Sequence, residues 1–168
     1  MTRTAIGSLD AADVAVMMFW LKKLGVCCFA FNPGLSGNWW IGSARSGEGF
    51  FIDVALNITS DIIFAASFYT YDSLGNQVWL VGAGPIDGNM AEIQLVIPSG
   101  AMWGEAFNPD DNNEEPWGTG TFSFTSCGAG HILLKPNMEM QNRFFTDLEY
   151  DIKRDILIPG IECPTSSD

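Results

Sequence analysis

Two carboxylates, Glu48 and Asp53, are the side chains whose types and spacing best suit acid–base chemistry. Hydrolysis of a glycosidic bond needs two carboxyl groups held at a set separation around that bond. Glu48, however, lies in a turn between glycines, where a solvated or hydrogen-bonded carboxylate is the more ordinary interpretation. A glycoside-type hydrolase is therefore an alternative that we keep but do not favour.

His131 is the single histidine of the chain. A nucleophilic triad would place this ring between an activated Ser or Cys and an orienting acid, and no G-x-S-x-G sequence marks such a serine. We interpret His131 as a histidine on the surface or at the end of a strand. The sequence thus predicts no catalytic residue and a protein that is not an enzyme.

Aromatic side chains offer a different chemistry, because indole rings provide large flat faces for a ligand. The candidates are Trp39, Trp40, Trp79, Trp103 and Trp117. Neighbouring side chains of a strand point to opposite faces, so one of Trp39 and Trp40 should reach the outer side. In strands, most other aromatic residues fill the core.

Arg45 adds a candidate for anion recognition, because a guanidinium binds carboxylates and phosphates with two parallel hydrogen bonds. Alternatively, it braces its loop by pairing with Asp53 or Asp72. The residues predicted to line a ligand site are Trp39, Trp40, Arg45, Glu48 and Trp79.

Metal binding has little support in the sequence. The acidic run 110–115 supplies oxygen ligands for Ca²⁺ but lacks EF-hand spacing, so we favour a solvated loop. The cysteines lack the C-x-x-C spacing of zinc sites, and they are Cys27, Cys28, Cys127 and Cys163. We predict no metal and no cofactor. In an exported protein Cys127 and Cys163 would form a disulfide, whereas in the cytosol they would be free thiols.

The elements that must position these residues are mainly strands. Alternation of apolar and polar residues predicts strands at 39–42, 49–56, 62–69, 77–81, 91–97, 117–126 and 132–135. Residues 107–116 are predicted to form a long acidic loop, and Gly118 and Gly120 mark a bend. Residues 144–152, as strand or helix, and 155–158 follow. We expect an all-β antiparallel barrel or sandwich of about eight strands with an N-terminal helix.

The N-terminal segment has two competing interpretations. Asp10 can cap a helix over about residues 11–24, with Lys22 and Lys23 in its last turn. Alternatively, those lysines and the apolar residues 24–31 form an export signal, and the residues before about 32 are removed. The predicted organisation is a segment 1–31, a single β domain 32–163 and a mobile tail 164–168.

Composition bounds the partners. The 168 residues include 12 Phe and 6 Trp, which supply a core, and the net charge is −12. Nucleic acid is disfavoured, because its binding needs Lys and Arg to displace counterions. No membrane span is expected, because Lys22 and Lys23 interrupt the N-terminal apolar run. The charge favours basic partners.

Several short motifs together resemble one family. They are GNWW at 37–40, ARSGEG at 44–49, YTYD at 69–72, GNQVWL at 75–80, GPIDG at 84–88, PWGT at 116–119 and the cysteines at 127 and 163. This pattern resembles a domain found in many exported proteins of proteobacteria, over roughly residues 35–163. The resemblance implies export and a β fold and carries no activity. Residues 35–39 with Ser46 and Phe50 are also similar to the first hairpin of avidin-type barrels, over too short a stretch to imply biotin binding.

The function predicted first is that of a non-enzymatic extracellular or cell-envelope module that acts by association. Its apolar N-terminal segment and open strand edges would contact other copies or another surface protein. The second hypothesis is a small-ligand or carbohydrate binder that uses exposed tryptophans, and the hydrolase is the third.

Overall fold

Eight antiparallel strands close into one barrel. The computed structural model describes residues 29–156, 158–161 and 163. Each strand pairs with the next along the chain, and the last pairs with the first. The strands are β1 (Gly37–Trp40), β2 (Gly49–Leu56), β3 (Ile62–Tyr71), β4 (Gln77–Pro85), β5 (Met90–Ser99), β6 (Asn113–Ser126), β7 (Ala129–Pro136) and β8 (Leu148–Arg154). The predicted all-β antiparallel fold of about eight strands is confirmed.

The interior of the barrel is a packed core. Alternate residues of each strand point inward, as predicted for β5, where Ala91, Ile93, Leu95 and Ile97 are buried. Phe50 stacks on Phe68 with ring centroids 4.2 Å apart, and Phe64 packs against Phe122 at 4.7 Å. Eight strands enclose a space just wide enough for side chains to fill. The outer surface and the two ends are therefore where binding must be sought.

Most strands differ from their predicted bounds, and β1, β3 and β5 cover Gly37–Trp40, Ile62–Tyr71 and Met90–Ser99 rather than 39–42, 62–69 and 91–97. β4 continues to Pro85, β7 begins at Ala129, and β6 begins at Asn113. The predicted acidic loop 107–116 is therefore wrong over its last four positions, where the chain pairs with β5 through Ser99↔Asn113 and its successors. The reason is that long-range pairing overrides the low intrinsic strand preference of Asn and Glu.

The C-terminal part also departs from its prediction. A short helix, α1 (Met138–Asn142), begins after Asn137, whose side chain accepts a hydrogen bond from the Met140 backbone N–H at 2.9 Å. Residues 144–147 are outside the regular elements, and β8 begins only at Leu148. The predicted strand over 155–158 is wrong for Asp155, Ile156 and Ile158.

The two ends of the barrel are closed differently. The upper end carries the loops 41–48, 72–76, 100–112 and 137–147, and the lower end carries the remaining connections between strands and the described residues just before β1 and just after β8. At the lower end Phe31 packs edge-to-face against Phe64 and Phe124. Arg154 donates hydrogen bonds there to the carbonyls of Gly34 and Ser36. Its burial lowers the pKa of the guanidinium.

The lower end is also cross-linked. Cys127 and Cys163 form a disulfide with their Cα atoms 6.0 Å apart, which confirms the predicted bond. The predicted helix at 11–24, the export-signal segment up to residue 28, Cys27, Cys28 and the tail 164–168 lie outside the described residues. Within the part of the chain that is described, no helix has the length and apolarity to cross a membrane.

Candidate functional site

A row of side chains crosses four neighbouring strands on the outside of the barrel. Trp40 of β1 lies opposite Gly49 of β2, Gly49 lies opposite Tyr69 of β3, and Tyr69 lies opposite Trp79 of β4. Residues directly opposite one another in antiparallel strands share a face of the sheet. The register alone therefore places three large aromatic rings in one line on the surface.

Two more rings widen this row into a patch. Phe51 follows Gly49 on the same face of β2, and Tyr71 follows Tyr69 on the same face of β3. We call the resulting group the aromatic strip, and its members are Trp40, Phe51, Tyr69, Tyr71 and Trp79. Each of them keeps between 38% and 49% of its surface exposed. A contiguous patch of this kind marks an interaction site more often than scattered apolar residues do.

The rings of the aromatic strip have defined mutual geometry. The Tyr69 and Trp79 rings are nearly parallel, at 12° with centroids 6.2 Å apart. Phe51 meets Tyr69 edge-on at 5.6 Å. Both arrangements are favourable aromatic contacts, so the rings support one another in the positions seen.

Two shallow grooves border Phe51. The first, of about 290 Å³, lies where Gly49 places no side chain between Trp40 and Tyr69, and Asp155 contributes a carboxylate to it. The second, of about 450 Å³, has a floor of the small residues Ala65, Ser67, Gly82 and Ala83. Its polar rim consists of Asp53, Gln94 and Glu114. The strip is thus flanked by depressions that partner side chains could enter.

The two adjacent tryptophans have opposite positions, as predicted. Trp40 is in the aromatic strip, whereas Trp39 is buried, and its indole N–H donates to the Leu35 carbonyl at 2.9 Å. The prediction that Trp39 lines a ligand site is therefore wrong, because its ring faces the core and its polar atom is already bonded. Trp79 lies in the strip and is partly exposed, and its role in a ligand site stays a prediction.

Arg45 and Glu48 form an ion pair at the upper end. Arg45 Nη2 donates to Glu48 Oε1 at 2.8 Å, and the Thr70 hydroxyl donates to the same oxygen. The predicted pairing of Arg45 with Asp53 or Asp72 is wrong, because the 3-10 turn Ser43–Arg45 brings the guanidinium to the nearer carboxylate. With only 9% of its side chain exposed, Glu48 is a hydrogen-bonded turn carboxylate. Arg45 also lies 5.4 Å from the Tyr150 ring centroid.

The carboxylates proposed for hydrolysis do not face one another. Glu48 bonds to Thr70 on the inner side of the rim, whereas Asp53 is on the outer face of β2 beside Phe51. Five residues of extended chain separate them by roughly 16 Å. This arrangement gives no shared site for a glycosidic bond.

His131 is on the outer face of β7 between two carboxylates of β8. Its Nδ1 lies 2.9 Å from Asp151 and its Nε2 3.1 Å from Glu149. The hydrogen bond with Asp151 is the main reason that the pKa of His131 is raised. Ser123 is its cross-strand neighbour on β6.

The acidic run is dispersed by the fold. Asp110 and Asp111 belong to a 3-10 turn, whereas Glu114 and Glu115 belong to β6. Glu115 accepts a hydrogen bond from Arg143 at 2.7 Å. Over the described ranges, no three His, Cys, Asp or Glu side chains group as metal ligands.

Phe51, Tyr69 and Tyr71 are candidate site residues that the sequence alone does not predict. Their signal was present in the alternation of β2 and β3, where these three occupy outward positions that normally carry polar residues. Only the register, however, joins them to Trp40 and Trp79.

In comparisons with known proteins, no family model, no curated protein and no solved structure matches the chain. The resemblance to exported proteobacterial domains therefore stays a prediction.

Proposed function

We propose that this protein is a non-enzymatic module that binds another protein through the aromatic strip. The observation that carries the proposal is the row Trp40–Gly49–Tyr69–Trp79, in which one register aligns exposed aromatic rings on a closed barrel. A folded chain gains nothing in stability from leaving such rings half in water, since apolar burial is the main favourable term in folding. A partner that covers these rings would add the free energy of apolar burial to the stability of the complex.

The size of the strip suits the centre of an interface. An aromatic side chain offers about 150–250 Å², so five rings that are nearly half exposed present roughly 400–500 Å². A standard interface covers about 800 Å² on each partner, with an apolar centre and a polar rim. The strip would be the centre, and its flanking groove residues would be part of the rim.

The charge of the chain defines the partner's chemistry. The net charge of −12 makes two copies repel each other, and carboxylates border the strip at Asp53, Glu114 and Asp155. Lys153, opposite Trp40 in the register, is the basic residue beside it. We therefore expect a partner that surrounds apolar side chains with Lys and Arg, because opposite potentials speed and orient association.

The route of association differs from the predicted one. The sequence predicts contact through open strand edges, but β1 pairs with β8 through Trp39↔Arg154 and Trp40↔Lys153, so the described strands form a closed ring. Closure removes edge pairing as a mode of self-association. The other predicted contact, the N-terminal segment up to residue 28, lies outside the described residues.

We place this activity outside the cell or in the cell envelope. The Cys127–Cys163 disulfide supports that location, because such bonds persist in oxidising compartments and are rare in the cytosol.

Selection from a displayed library of random peptides tests the proposal. The full chain is compared with Tyr69→Ser/Trp79→Ser, which removes the parallel rings, and with Trp103→Ser/Phe107→Ser, which makes the same kind of change in an exposed loop. We expect the wild type and the loop variant to enrich peptides that combine apolar residues with Lys or Arg. The strip variant should bind those peptides at least about 30-fold more weakly, as for loss of an interface hot spot.

Two results would contradict this proposal. One is equal binding of the selected peptides by the strip variant and the wild type. The other is a dimer in sedimentation velocity that the strip variant abolishes, since the occupant would then be a second copy rather than a basic partner. Binding of the selected peptides should also weaken with salt, because exposed charges are screened.

A second candidate, carbohydrate binding, is favoured by one observation. Tyr69 and Trp79 are stacked, nearly parallel and partly exposed rings, and Asn38 and Asp155 border the adjoining groove with polar groups. Sugar hydroxyls could bond to these groups while the ring faces cover C–H groups.

Tryptophan emission during titration with soluble glycans tests this candidate. A saturable shift that Trp79→Ala removes and Trp103→Ala retains would support it. Insensitivity of the shift to salt would separate sugar binding from the charged protein partner. A panel of neutral glycans that leaves the emission unchanged would refute it.

A further inference from the structure

We infer that the upper end of the barrel binds a small neutral molecule whose carbonyl oxygen accepts a hydrogen bond from the Trp117 indole N–H. This inference concerns the upper end of the barrel rather than its outer wall, with Tyr71 as the one residue of the aromatic strip that also lines the cavity, and it goes beyond the proposed function. It rests on a cavity of about 210 Å³ at the upper end, lined by Trp117, and on an unpaired polar atom of that residue.

The indole nitrogen of Trp117 is a buried donor without a hydrogen-bond partner among the described residues. Trp117 is 1% exposed, and its Nε1–H has no hydrogen-bond partner among the described protein atoms. Buried indole N–H groups usually find a partner, because leaving one unpaired costs free energy. Most buried side chains of this barrel are purely apolar, so a lone donor beside a cavity is a feature that needs an acceptor.

A break in strand register produces this orientation. Val96 pairs with Pro116 and Leu95 pairs with Gly118, so Trp117 is the extra residue of a β-bulge in β6. A bulge re-aims the side chains next to it, and bulges are frequent beside binding sites. Here the bulge turns Trp117 inward, against Phe145 at 5.9 Å.

The cavity walls are apolar, with a polar rim. Phe68, Leu80, Phe145 and Leu148 form the apolar part, and Thr70 is at the inner edge. At about 210 Å³ the space is below the ~300–1,000 Å³ of sites for drug-sized ligands. A fragment-sized molecule with an aromatic or alicyclic body and one acceptor fits these walls.

The charges at the rim select a neutral ligand. Arg45 is already paired with Glu48, so its positive charge is compensated. Asp72 also lines the cavity, and its carboxylate is occupied by the backbone N–H groups of Leu74 and Asn76. An anion would meet the Asp72 carboxylate and no uncompensated cation among the lining residues, whereas a carbonyl compound needs only the indole donor.

The outer wall leaves a way in. Phe144 and Thr146 line the cavity and are exposed, and both lie in the irregular segment between α1 and β8. Phe144 holds a positive φ of 67°, which is unusual for a residue with a side chain. Because Thr146 is exposed and lines the cavity, a larger side chain at this position could block the cavity without entering the core.

Nitrogen-15 NMR of the full chain tests the inference, with acetophenone as the probe and ethylbenzene as a match that lacks the carbonyl. The Trp117 indole signal is assigned as the one that Trp117→Phe removes. We expect acetophenone to move it downfield with a roughly millimolar Kd, and ethylbenzene to bind about tenfold more weakly. Benzoate, of similar shape but charged, should not bind.

Two variants and one control complete the test. Trp117→Phe keeps most of the apolar volume and should weaken acetophenone binding about tenfold. In this variant, binding is measured from the shifts of the Thr70 and Phe145 backbone amide signals. Thr146→Trp should abolish binding, and Trp103→Phe should leave it unchanged. An unmoved Trp117 signal, equal affinity for acetophenone and ethylbenzene, or unchanged affinity of Trp117→Phe would each overturn the inference.

Discussion

At the scale of the residue, Trp39 and Trp40 illustrate how much position decides. They are chemically identical neighbours, yet Trp39 is buried in the core and Trp40 belongs to the aromatic strip. The pleat of β1 separates them, because successive side chains of a strand leave opposite faces. Their contributions should therefore separate cleanly, with stability depending on Trp39 and binding on Trp40.

Alanine substitution at each position measures this separation. Trp39→Ala removes a buried ring and the hydrogen bond to Leu35, so we expect a loss of about 3–5 kcal/mol in the free energy of unfolding. Trp40→Ala should cost no more than about 1 kcal/mol, because its ring is partly solvated. Urea denaturation of both variants measures the two losses, and a larger loss for Trp40→Ala would contradict the burial pattern.

His131 gives a second prediction at this scale, on pH. The hydrogen bond with Asp151, supported by Glu149, raises the pKa of His131 in the folded chain. A raised folded pKa contributes stability fully below the unfolded value near 6.5, and the contribution is lost as the pH rises through the folded value. The difference in free energy of unfolding between wild type and His131→Gln should therefore be larger at about pH 5.5 than at about pH 8.5.

The size of this effect is limited by solvent. The His131 side chain is 43% exposed, so we expect a change below about 1 kcal/mol across that range. Salt should reduce it further. A difference that grows toward high pH would mean that the neutral ring is the form favoured by folding.

At the scale of the element, the bulge in β6 combines a structural and a functional role. Its extra residue, Trp117, turns inward, and the next residue, Gly118, has φ 149°. A Cβ at Gly118 would overlap the Lys135 carbonyl oxygen of β7. The sequence predicted a bend at Gly118 and Gly120, and the register break at Trp117 confirms it on the Gly118 side.

Substitution of this glycine should disturb both strands. Gly118→Ala forces the backbone of β6 away from β7, and we expect it to cost at least about 2 kcal/mol of unfolding free energy. Gly128→Ala, in the turn that joins the same two strands, meets nothing closer than the Ser126 hydroxyl at 3.8 Å and is the matched control. Thermal unfolding of both variants gives the comparison, and equal midpoints would argue against close packing of the backbones at Gly118.

At the scale of the whole molecule, a short contact closes the barrel. β1 pairs with β8 through two residue pairs. Most other neighbouring strands share more pairs, and only β4 and β5 share fewer. Arg154 reinforces this seam by bonding to the carbonyls of Gly34 and Ser36, and the disulfide ties Cys163 back to the turn after β6. The lower end is thus held by covalent and polar links as well as by Phe31.

Removal of the disulfide tests the importance of these links. The bond spans 36 residues, and loss of such a cross-link typically costs about 2–4 kcal/mol, because the unfolded chain regains freedom. We expect Cys127→Ser/Cys163→Ser to lower the unfolding midpoint by an amount that corresponds to this loss of unfolding free energy. A reducing agent should lower the midpoint of the wild type similarly and leave the double variant unchanged, and any further loss in that variant would point to another disulfide.

Alternation in the sequence determined the strands, the inward residues of β5 and the opposite directions of Trp39 and Trp40, because these follow from the two-residue period of a pleated chain. It also predicted that one of Trp39 and Trp40 would be exposed, without deciding which. Tertiary structure decided the rest, since register, closure and the partner of Arg45 depend on residues far apart in the chain. The aromatic strip joins four strands, and the Trp117 cavity joins a bulge to three loops. Both sites therefore exist only once the barrel has closed and fixed the register between its strands.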